Sequence, residues 1–382
     1  MKNKNSNLFV IFSVFCLAVA FAFSPALAQK EPYKIGVILT AGGRYAALGG
    51  PQKDGAFLAA EEINRRGGVN GHMLELIFED DGGDPAVASR LAKKIIAEDK
   101  VSAIVGGTPI AAAHTIALIG EEKEVPSILL IPQSSVVEGK KYAFHNAQRV
   151  ELSSLADTKH ISETLKWKRV AILHDTTEYG IFMSKGGEKA LKEKGVEVLK
   201  EQFLSTDTDL TSLLIKVNAW KPEGIYLIAS IPSAPAILMR NLRDLKMKIP
   251  VTASNALMTG KFLELVGRAG EGMYLQSGIK YGDQSSEQKY FFEAMASKYS
   301  GVLPMAMHGS GWDGIRLFAH VMKKVGNDPK KMKGALETLR GYQGARGEYN
   351  FSPSDHNGLA LDTISMVQVK EGKYVHLYSF KQ

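Results

Sequence analysis

The sequence predicts an α/β protein made of two similar halves, each a doubly wound parallel sheet with helices on both faces. From Tyr33 onward, short apolar runs alternate with longer amphipathic segments, which is the pattern of βα units. The alternation starts again after Gln148. Because no Pro/Ser-rich linker separates the halves, we expect them to meet at a hinge of several short strands.

The first half is predicted to contain four strands. Residues 34–39 form the first strand, and residues 52–66 form a helix that Gly67 and Gly68 terminate. Asp84 followed by Pro85 has the N-cap acceptor and first-turn proline that open a helix. The other three predicted strands are 73–78, 101–105 and 127–131.

The second half repeats this order, and the tail departs from it. The predicted strands of the second half are 170–174, 196–203, 224–228 and 249–252. Its predicted helices are 153–165, 179–194, 209–219 and 234–245. Three helices then follow without intervening strands, at 288–299, 304–325 and 329–339. The tail closes with a predicted hairpin of strands 364–369 and 374–380.

Composition excludes several classes of protein. Of the 382 residues, 45% are hydrophobic and 23% are charged, so a largely disordered chain is excluded. The formal net charge of +7 comes without long basic runs, which gives no reason to expect nucleic acid or a membrane surface as partner. The single cysteine, Cys16, lies in a segment that we expect to be removed, so no disulfide or thiol chemistry is predicted.

Residues 1–28 have the pattern of a secretory signal peptide. Lys2 and Lys4 precede an apolar run over 8–23, and Ala26 and Ala28 match the small-residue cleavage pattern. The run is shorter than the roughly 20 residues that span a membrane. We predict cleavage after Ala28 and export from the cytoplasm, with an uncleaved anchor as the alternative.

Motifs for catalysis, nucleotides and metals are missing. No two of the nine histidines stand at the i, i+3 or i, i+4 spacing of metal ligands on one helix face. Neither 41–44 nor 105–108 matches a dinucleotide or phosphate loop. Gly309-Ser310-Gly311 fails the nucleophile-elbow pattern. We therefore predict no cofactor, no metal and no enzymatic activity.

Polar residues gather where predicted strands end. Three runs, 106–109, 132–135 and 174–180, follow strands and precede helices. Small ligands bind at the carboxyl ends of parallel strands, and helix N-termini favour anions. The hydroxyls of Ser134 and Ser135 add donors for a carboxylate, although the same groups would serve equally well as helix caps.

Several segments, in this order, resemble the branched-chain amino-acid-binding family of periplasmic solute receptors, the leucine/isoleucine/valine-binding proteins. The similarity covers nearly the whole mature chain, and its most specific element is the string 60–71 that ends in Gly67-Gly68-Val69-Asn70-Gly71. Supporting segments are 35–37, 80–81, 84–85, 105–106, Pro132, 174–175, 179–180, 271–273 and 347–351.

The resemblance implies a type I periplasmic binding protein. The N-terminal lobe would comprise 29–149 and 279–348, and the C-terminal lobe 150–278 and 349–382. Three hinge crossings are expected near 148–151, 276–279 and 347–350. A periplasmic, monomeric receptor of this kind closes around one solute and presents the closed form to the membrane permease of an ABC importer.

The resemblance also implies ligand-binding residues. Gln133, Ser134 and Ser135 match the family's carboxylate-binding turn, and Tyr179 matches an aromatic residue that packs on the ligand. Ser230 or Ile231 falls where another aromatic often stands, and further contacts are expected from Tyr45, Leu48 and Thr108.

Two positions depart from the amino-acid binders. The loop at Thr108 lacks the usual serines, and Asn255 stands where an acid normally pairs with the ligand's ammonium. Because a buried ammonium without a countercharge is costly, aromatic or aliphatic carboxylates and amides are alternative ligands. A sensor that signals to a membrane partner is the alternative to an import receptor.

Overall fold

The computed structural model describes residues 30–360 and 363–380. The strands are β1 Lys30–Leu39, β2 His72–Asp80, β3 Ala103–Gly106, β4 Ser127–Leu129, β5 Ala143–His145, β6 Arg169–Asp175, β7 Glu197–Phe203, β8 Gly224–Ile228, β9 Val251–Ala253, β10 Tyr274–Ser277, β11 Tyr342–Gln343, β12 Glu348–Tyr349, β13 Ser365–Lys370 and β14 Lys373–Ser379. The α-helices are α1 Ala46–Arg65, α2 Pro85–Ala97, α3 Ile110–Lys123, α4 Val150–Lys159, α5 Glu178–Glu193, α6 Thr211–Ala219, α7 Ser233–Asp244, α8 Gly260–Val266, α9 Ser286–Lys298, α10 Ala306–Val325 and α11 Pro329–Glu337.

The N-terminal lobe is built on a five-stranded parallel sheet. Its strand order is β2-β1-β3-β4-β5. Successive residues of β1 face opposite sides, since Val37 and Leu39 join one core cluster and Ile38 joins another. Helices cover both faces, so the predicted doubly wound half is confirmed. The three-residue strand β5 was not predicted, because so short a run carries no periodicity.

The C-terminal lobe has a seven-stranded sheet in the order β14-β13-β10-β9-β8-β6-β7. The strands from β10 to β7 are parallel, whereas β13 pairs antiparallel with both β10 and β14. The predicted terminal hairpin is therefore confirmed, and it extends the second sheet. The parallel strands end toward the first lobe, which places their loops at the cleft.

The three tail helices return to the first lobe. Phe291 of α9, Trp312 of α10 and Met332 of α11 pack in the same core cluster as Val37. Helices α1 and α10 approach closely, because a Cβ on Gly311 would lie 1.8 Å from the carbonyl oxygen of Gln52. The Gly-Ser-Gly run of the sequence is therefore a helix-packing motif inside α10, as its failure of the elbow pattern indicated.

Helix α1 begins six residues before its predicted start, at Ala46. Gly49, Gly50 and Pro51, which precede the predicted start, all lie inside the helix. A Cβ on Gly49 would lie 1.9 Å from the carbonyl oxygen of Thr40, so glycine permits this turn to pack on the strand-end loop. Tertiary packing here outweighs helix propensity.

The third connection between the lobes differs from the expected 347–350. Tyr349, Phe351 and Leu359 still belong to the first lobe's core, and the next strand of the second sheet is β13. The segment 349–359 remains with the N-terminal lobe because it pairs with the edge of β5, where the N–H of His145 donates to His356 O (2.9 Å). The crossing therefore lies after Leu359, and the residues 349–359 pack with the N-terminal lobe.

Candidate functional site

A cavity of about 380 Å³ lies between the lobes at the carboxyl ends of both sheets. The first lobe contributes loops after β1, β3 and β4, and the second contributes loops after β6, β7, β8 and β9. This is the crevice in which open α/β sheets bind ligands. Among the predicted site residues, those that line it are Tyr45, Leu48, Thr108, Tyr179, Ser230 and Asn255.

The two lobes touch at one side of the cavity through apolar side chains. Tyr45 and Leu48 of the first lobe form a buried cluster with Ile231 of the second. Burial raises the pKa of Tyr45, and the carboxylates of Asp175 and Glu178 across the cleft raise it further against the opposing effect of Arg44. The described structure is therefore a closed form, in which each lobe covers the other's strand ends.

The first-lobe wall contains a continuous series of hydrogen bonds that runs from Thr40 to Leu130. Thr108 Oγ1 accepts from the backbone N–H of Thr40 (3.0 Å) and donates to Gln52 Oε1 (2.9 Å). Gln52 Nε2 in turn donates to Leu130 O (3.2 Å). Because a hydroxyl has one proton, Thr108 has no donor left for a ligand. This series shapes the wall and presents the uncapped start of α3, where Ile110 and Ala111 line the cavity.

The second-lobe wall is organised by the buried carboxylate of Asp175. Its Oδ2 accepts from the backbone N–H of Ser230 (2.9 Å), and its Oδ1 accepts from the N–H of Thr177 (3.2 Å). Ser230 Oγ donates to Thr177 Oγ1 (3.1 Å), and Thr177 also caps α5 by accepting from Gly180 N–H (3.1 Å). Burial raises the pKa of Asp175 while these hydrogen bonds oppose the rise. Asp175 thus positions two lining residues.

Tyr179 and Asn255 form the deep end of this wall. The Tyr179 hydroxyl donates to Asn255 Oδ1 (2.9 Å), and both side chains are buried. Burial raises the pKa of Tyr179 well above its usual range, so the phenol stays protonated. The pair offers a fixed amide and an aromatic face.

Arg346 is a buried cation that lines the cavity next to the first chain crossing. Its Nε donates to Gly278 O (3.2 Å) and its Nη1 to Asn146 O (3.3 Å). Its Nη2 donates to Gln148 Oε1. These partners lie in two of the three segments that run between the lobes, and Gln148 Nε2 donates to Thr363 Oγ1 (2.9 Å) of the third. Arg346 therefore holds the hinge together at the wall of the cavity.

Asp313 supports this arrangement from α10. Its carboxylate accepts from the backbone N–H of Ala345 (2.6 Å) and Arg346 (2.9 Å) and from the Tyr349 hydroxyl (2.8 Å). Burial raises the pKa of Asp313 to about 6, and these donors oppose the rise. Asp313 therefore anchors the backbone at Arg346.

A family model described as periplasmic binding protein matches residues 32–373. The chain belongs to the periplasmic binding protein family. The resemblance stated from the sequence is thereby confirmed, and the two-lobed fold agrees with it.

Relatives of this periplasmic binding protein carry names of amino-acid receptors. The chain is 26% identical over 345 residues to a leucine-, isoleucine-, valine-, threonine- and alanine-binding protein of Pseudomonas aeruginosa, covering 88% of this chain and 89% of the relative. It is 24% identical over 366 residues to a Leu/Ile/Val-binding protein of Rhizobium johnstonii, covering 94% and 97%.

Solved structures agree in fold. The leucine-binding protein LivK of Thermotoga maritima has a TM-score of 0.82 at 25% identity, covering 91% of this chain and 98% of its own. The LivJ protein of Streptococcus pneumoniae, solved with isoleucine, has a TM-score of 0.85 at 24% identity, covering 92% and 100%.

Gln133, Ser134 and Ser135 do not line the cavity. Ser134 to Val136 form a single 3₁₀ turn, and Gln133 Nε2 donates to Ser135 Oγ (2.8 Å). Ser135 is exposed, and the wall at this loop is made by Leu130, Ile131 and Pro132 instead. The Gln133 amide is thus bonded to Ser135, and the turn contributes no lining residue.

Sequence reasoning did not name several lining residues as ligand contacts, among them Gln52, Thr177, Met307 and Arg346. Thr177 carries a local signal, since a threonine before Glu178 fits an N-cap. Gln52 and Arg346 carry none, because they reach the cavity through partners far away along the chain.

Other sequence expectations concern metals, membranes and export. Within residues 30–360 and 363–380, no group of three His, Cys, Asp or Glu side chains is arranged to hold a metal ion. No helix in this part of the chain is long and apolar enough to cross a membrane. The predicted signal peptide, 1–28, lies outside the described residues.

Proposed function

We propose that this protein is a periplasmic receptor that captures a small amino acid or carboxylate between its lobes and delivers it to the membrane permease of an ABC importer. The observation that carries the proposal is the cavity walled by both lobes and closed by the Tyr45–Leu48–Ile231 cluster. A solute that contacts both walls stabilises the closed form over the open one. A permease can then recognise the loaded receptor by its shape.

The chemistry of the walls supports binding without turnover. No histidine and no cysteine is among the described residues that line the cavity. The hydroxyl protons of Thr108, Thr177 and Ser230 are committed to hydrogen bonds inside the walls. Thr108 and Ser230 do not donate their hydroxyl protons to a carboxylate. Thr177 donates to the Asp175 carboxylate, but its Oγ1 also accepts from Ser230 Oγ and from the N–H of Gly180, so its lone pairs are used within the wall. We therefore expect the solute to leave unchanged.

The relatives support the same class of function. Their names describe receptors for small amino acids, and they share nearly the full length of this chain. The apolar part of the cavity, with Leu48, Ile110 and Met307, fits an aliphatic or aromatic body. We propose that the protein acts as a monomer.

A thermal-shift screen over amino acids, short fatty acids, aromatic acids and amides tests capture. A solute at 100 times its Kd should stabilise the folded protein by about 2.7 kcal/mol. Calorimetry on each hit, with product analysis by mass spectrometry, distinguishes binding from turnover. Uptake of the labelled solute into cells that lack or carry the receptor then tests delivery. Binding without any effect on uptake would favour a sensor, and turnover would contradict the proposal.

A further inference from the structure

The cavity presents the buried positive charge of Arg346, which no carboxylate among the described residues pairs with. Arg346 is 2% exposed, and the three acceptors of its guanidinium, on Gly278, Asn146 and Gln148, are all neutral. A guanidinium has five N–H donors, so two remain after these bonds. A buried cation with free donors at the wall of a ligand cavity favours an anion there.

The acid that acts on Arg346 among the described residues, Asp313, does not take up those donors. The Asp313 carboxylate accepts hydrogen bonds from the backbone N–H groups of Ala345 and Arg346 and from the Tyr349 hydroxyl. It acts on the guanidinium charge only from a distance, and burial lowers the pKa of Arg346 despite it. The countercharge that the described residues supply is thus partial, and a bound carboxylate would complete it.

The described residues of the cavity interior offer no anion. Asn255 is a neutral amide held by Tyr179, and the only carboxylate among the described lining residues is Glu178. Glu178 is exposed to solvent. The N-termini of α3 and α5 lie at the cavity. Helix N-termini add positive potential. The interior is therefore suited to a carboxylate and unsuited to an ammonium.

We infer that the ligand is a carboxylate without an α-ammonium, and that Arg346 binds its carboxylate group. This inference rests on the proposed function and narrows its substrate class. The solute would have an aliphatic or aromatic body against the apolar wall. The neutral amide of Asn255 would face that body or a hydroxyl or carbonyl on it.

The experiment compares matched ligands by calorimetry on the mature protein. One set is 4-methylpentanoate, its primary amide and leucine; another is 3-phenylpropanoate, its amide and phenylalanine. Within a set the body is constant, so only the charges differ. We expect the acid to bind roughly 10- to 100-fold more tightly than its amide and at least 10-fold more tightly than the amino acid.

Variants assign the preference to Arg346. Arg346→Gln should bring the acid and amide affinities within about 3-fold of each other, with retained amide binding as proof of a folded cavity. Arg316→Gln, on a residue paired with Glu287 at 2.8 Å outside the cavity, should keep the acid preference. The wild-type comparison stands even if Arg346→Gln does not fold.

Failure of the inference is distinguishable from failure of the proposed function. Tighter binding of leucine or phenylalanine than of the matched acid would overturn the inference and leave the receptor function in place. An unchanged acid preference in Arg346→Gln would also overturn it. Binding of no member of the panel or of the wider screen would overturn the proposed function itself.

Discussion

Replacement of the buried Asp157 by asparagine should change how stability depends on pH. Asp157 lies on α4, is fully buried, and accepts one hydrogen bond, from the Tyr226 hydroxyl to Oδ2 (2.6 Å). Its Oδ1 has no hydrogen-bond partner among the residues that the structure describes. Burial raises the pKa of Asp157 to about 8, and the Tyr226 hydrogen bond only partly offsets the rise. Asparagine has nearly the same shape and cannot ionise.

The sign and size of this pH dependence follow from the difference between the pKa of Asp157 in the folded protein and in the unfolded chain. An unfolded aspartate has a pKa of about 3.9, so between about pH 4 and pH 8 the folded protein holds a proton that the unfolded chain has lost. The stabilisation by this group is therefore complete below about pH 4 and is lost as the pH rises toward 8. The slope is about 1.4 kcal/mol per pH unit, which gives about 3 kcal/mol between pH 5 and pH 7.

Urea denaturation of wild type and Asp157→Asn, followed by tryptophan fluorescence, measures the effect. Trp167 and Trp220 report on the second lobe, where Asp157 lies. The stability of wild type minus that of the variant should fall by about 3 kcal/mol from pH 5 to pH 7. Tyr226→Phe, which removes the one donor, should extend that fall to higher pH. A difference that stays constant within about 0.5 kcal/mol over this range would refute a raised pKa.

Three further predictions concern the cleft. Ile231→Asp should weaken ligand binding at least tenfold, about 1.4 kcal/mol, because it places a carboxylate against Tyr45 and Leu48. The control Ile231→Val should bind nearly as wild type. Equal affinities of the two variants in calorimetry would contradict a contact between the lobes at this position. Asn255→Asp keeps the side-chain shape and adds a negative charge, so competition assays should show a preference that moves from the acid toward the amino acid of each matched set. An unaltered ratio of the two affinities would show that residue 255 does not lie near the bound ligand. Ser135→Ala should leave ligand affinity within twofold of wild type, since this exposed hydroxyl lies outside the cavity. A tenfold loss of affinity in the same titration would show that the turn at 134–136 rearranges around the ligand.

Local patterns in the sequence determined the elements and where their loops lie. Asp84 caps α2 by accepting from the N–H of Ala86 (2.7 Å), as the Asp-Pro pair indicated. The alternation of apolar runs and amphipathic segments specified the parallel strands of both sheets, because strand and helix periods are properties of adjacent residues. Six of the nine predicted site residues line the cavity because the ends of parallel strands meet at one edge.

The pairings across long chain separations were decided by the tertiary structure. Thr108 lost its free donor to Gln52, which lies 56 positions away, and Arg346 reached the hinge through Gln148, which lies 198 positions away. The close approach of α1 at Gly49 accompanies a helix that begins six residues before its predicted start. Sequence alone therefore determined a two-lobed binding fold with ligand loops at its strand ends. Only the folded chain decided which polar groups remain free in the cavity, because hydrogen bonds and burial depend on which distant residues come into contact.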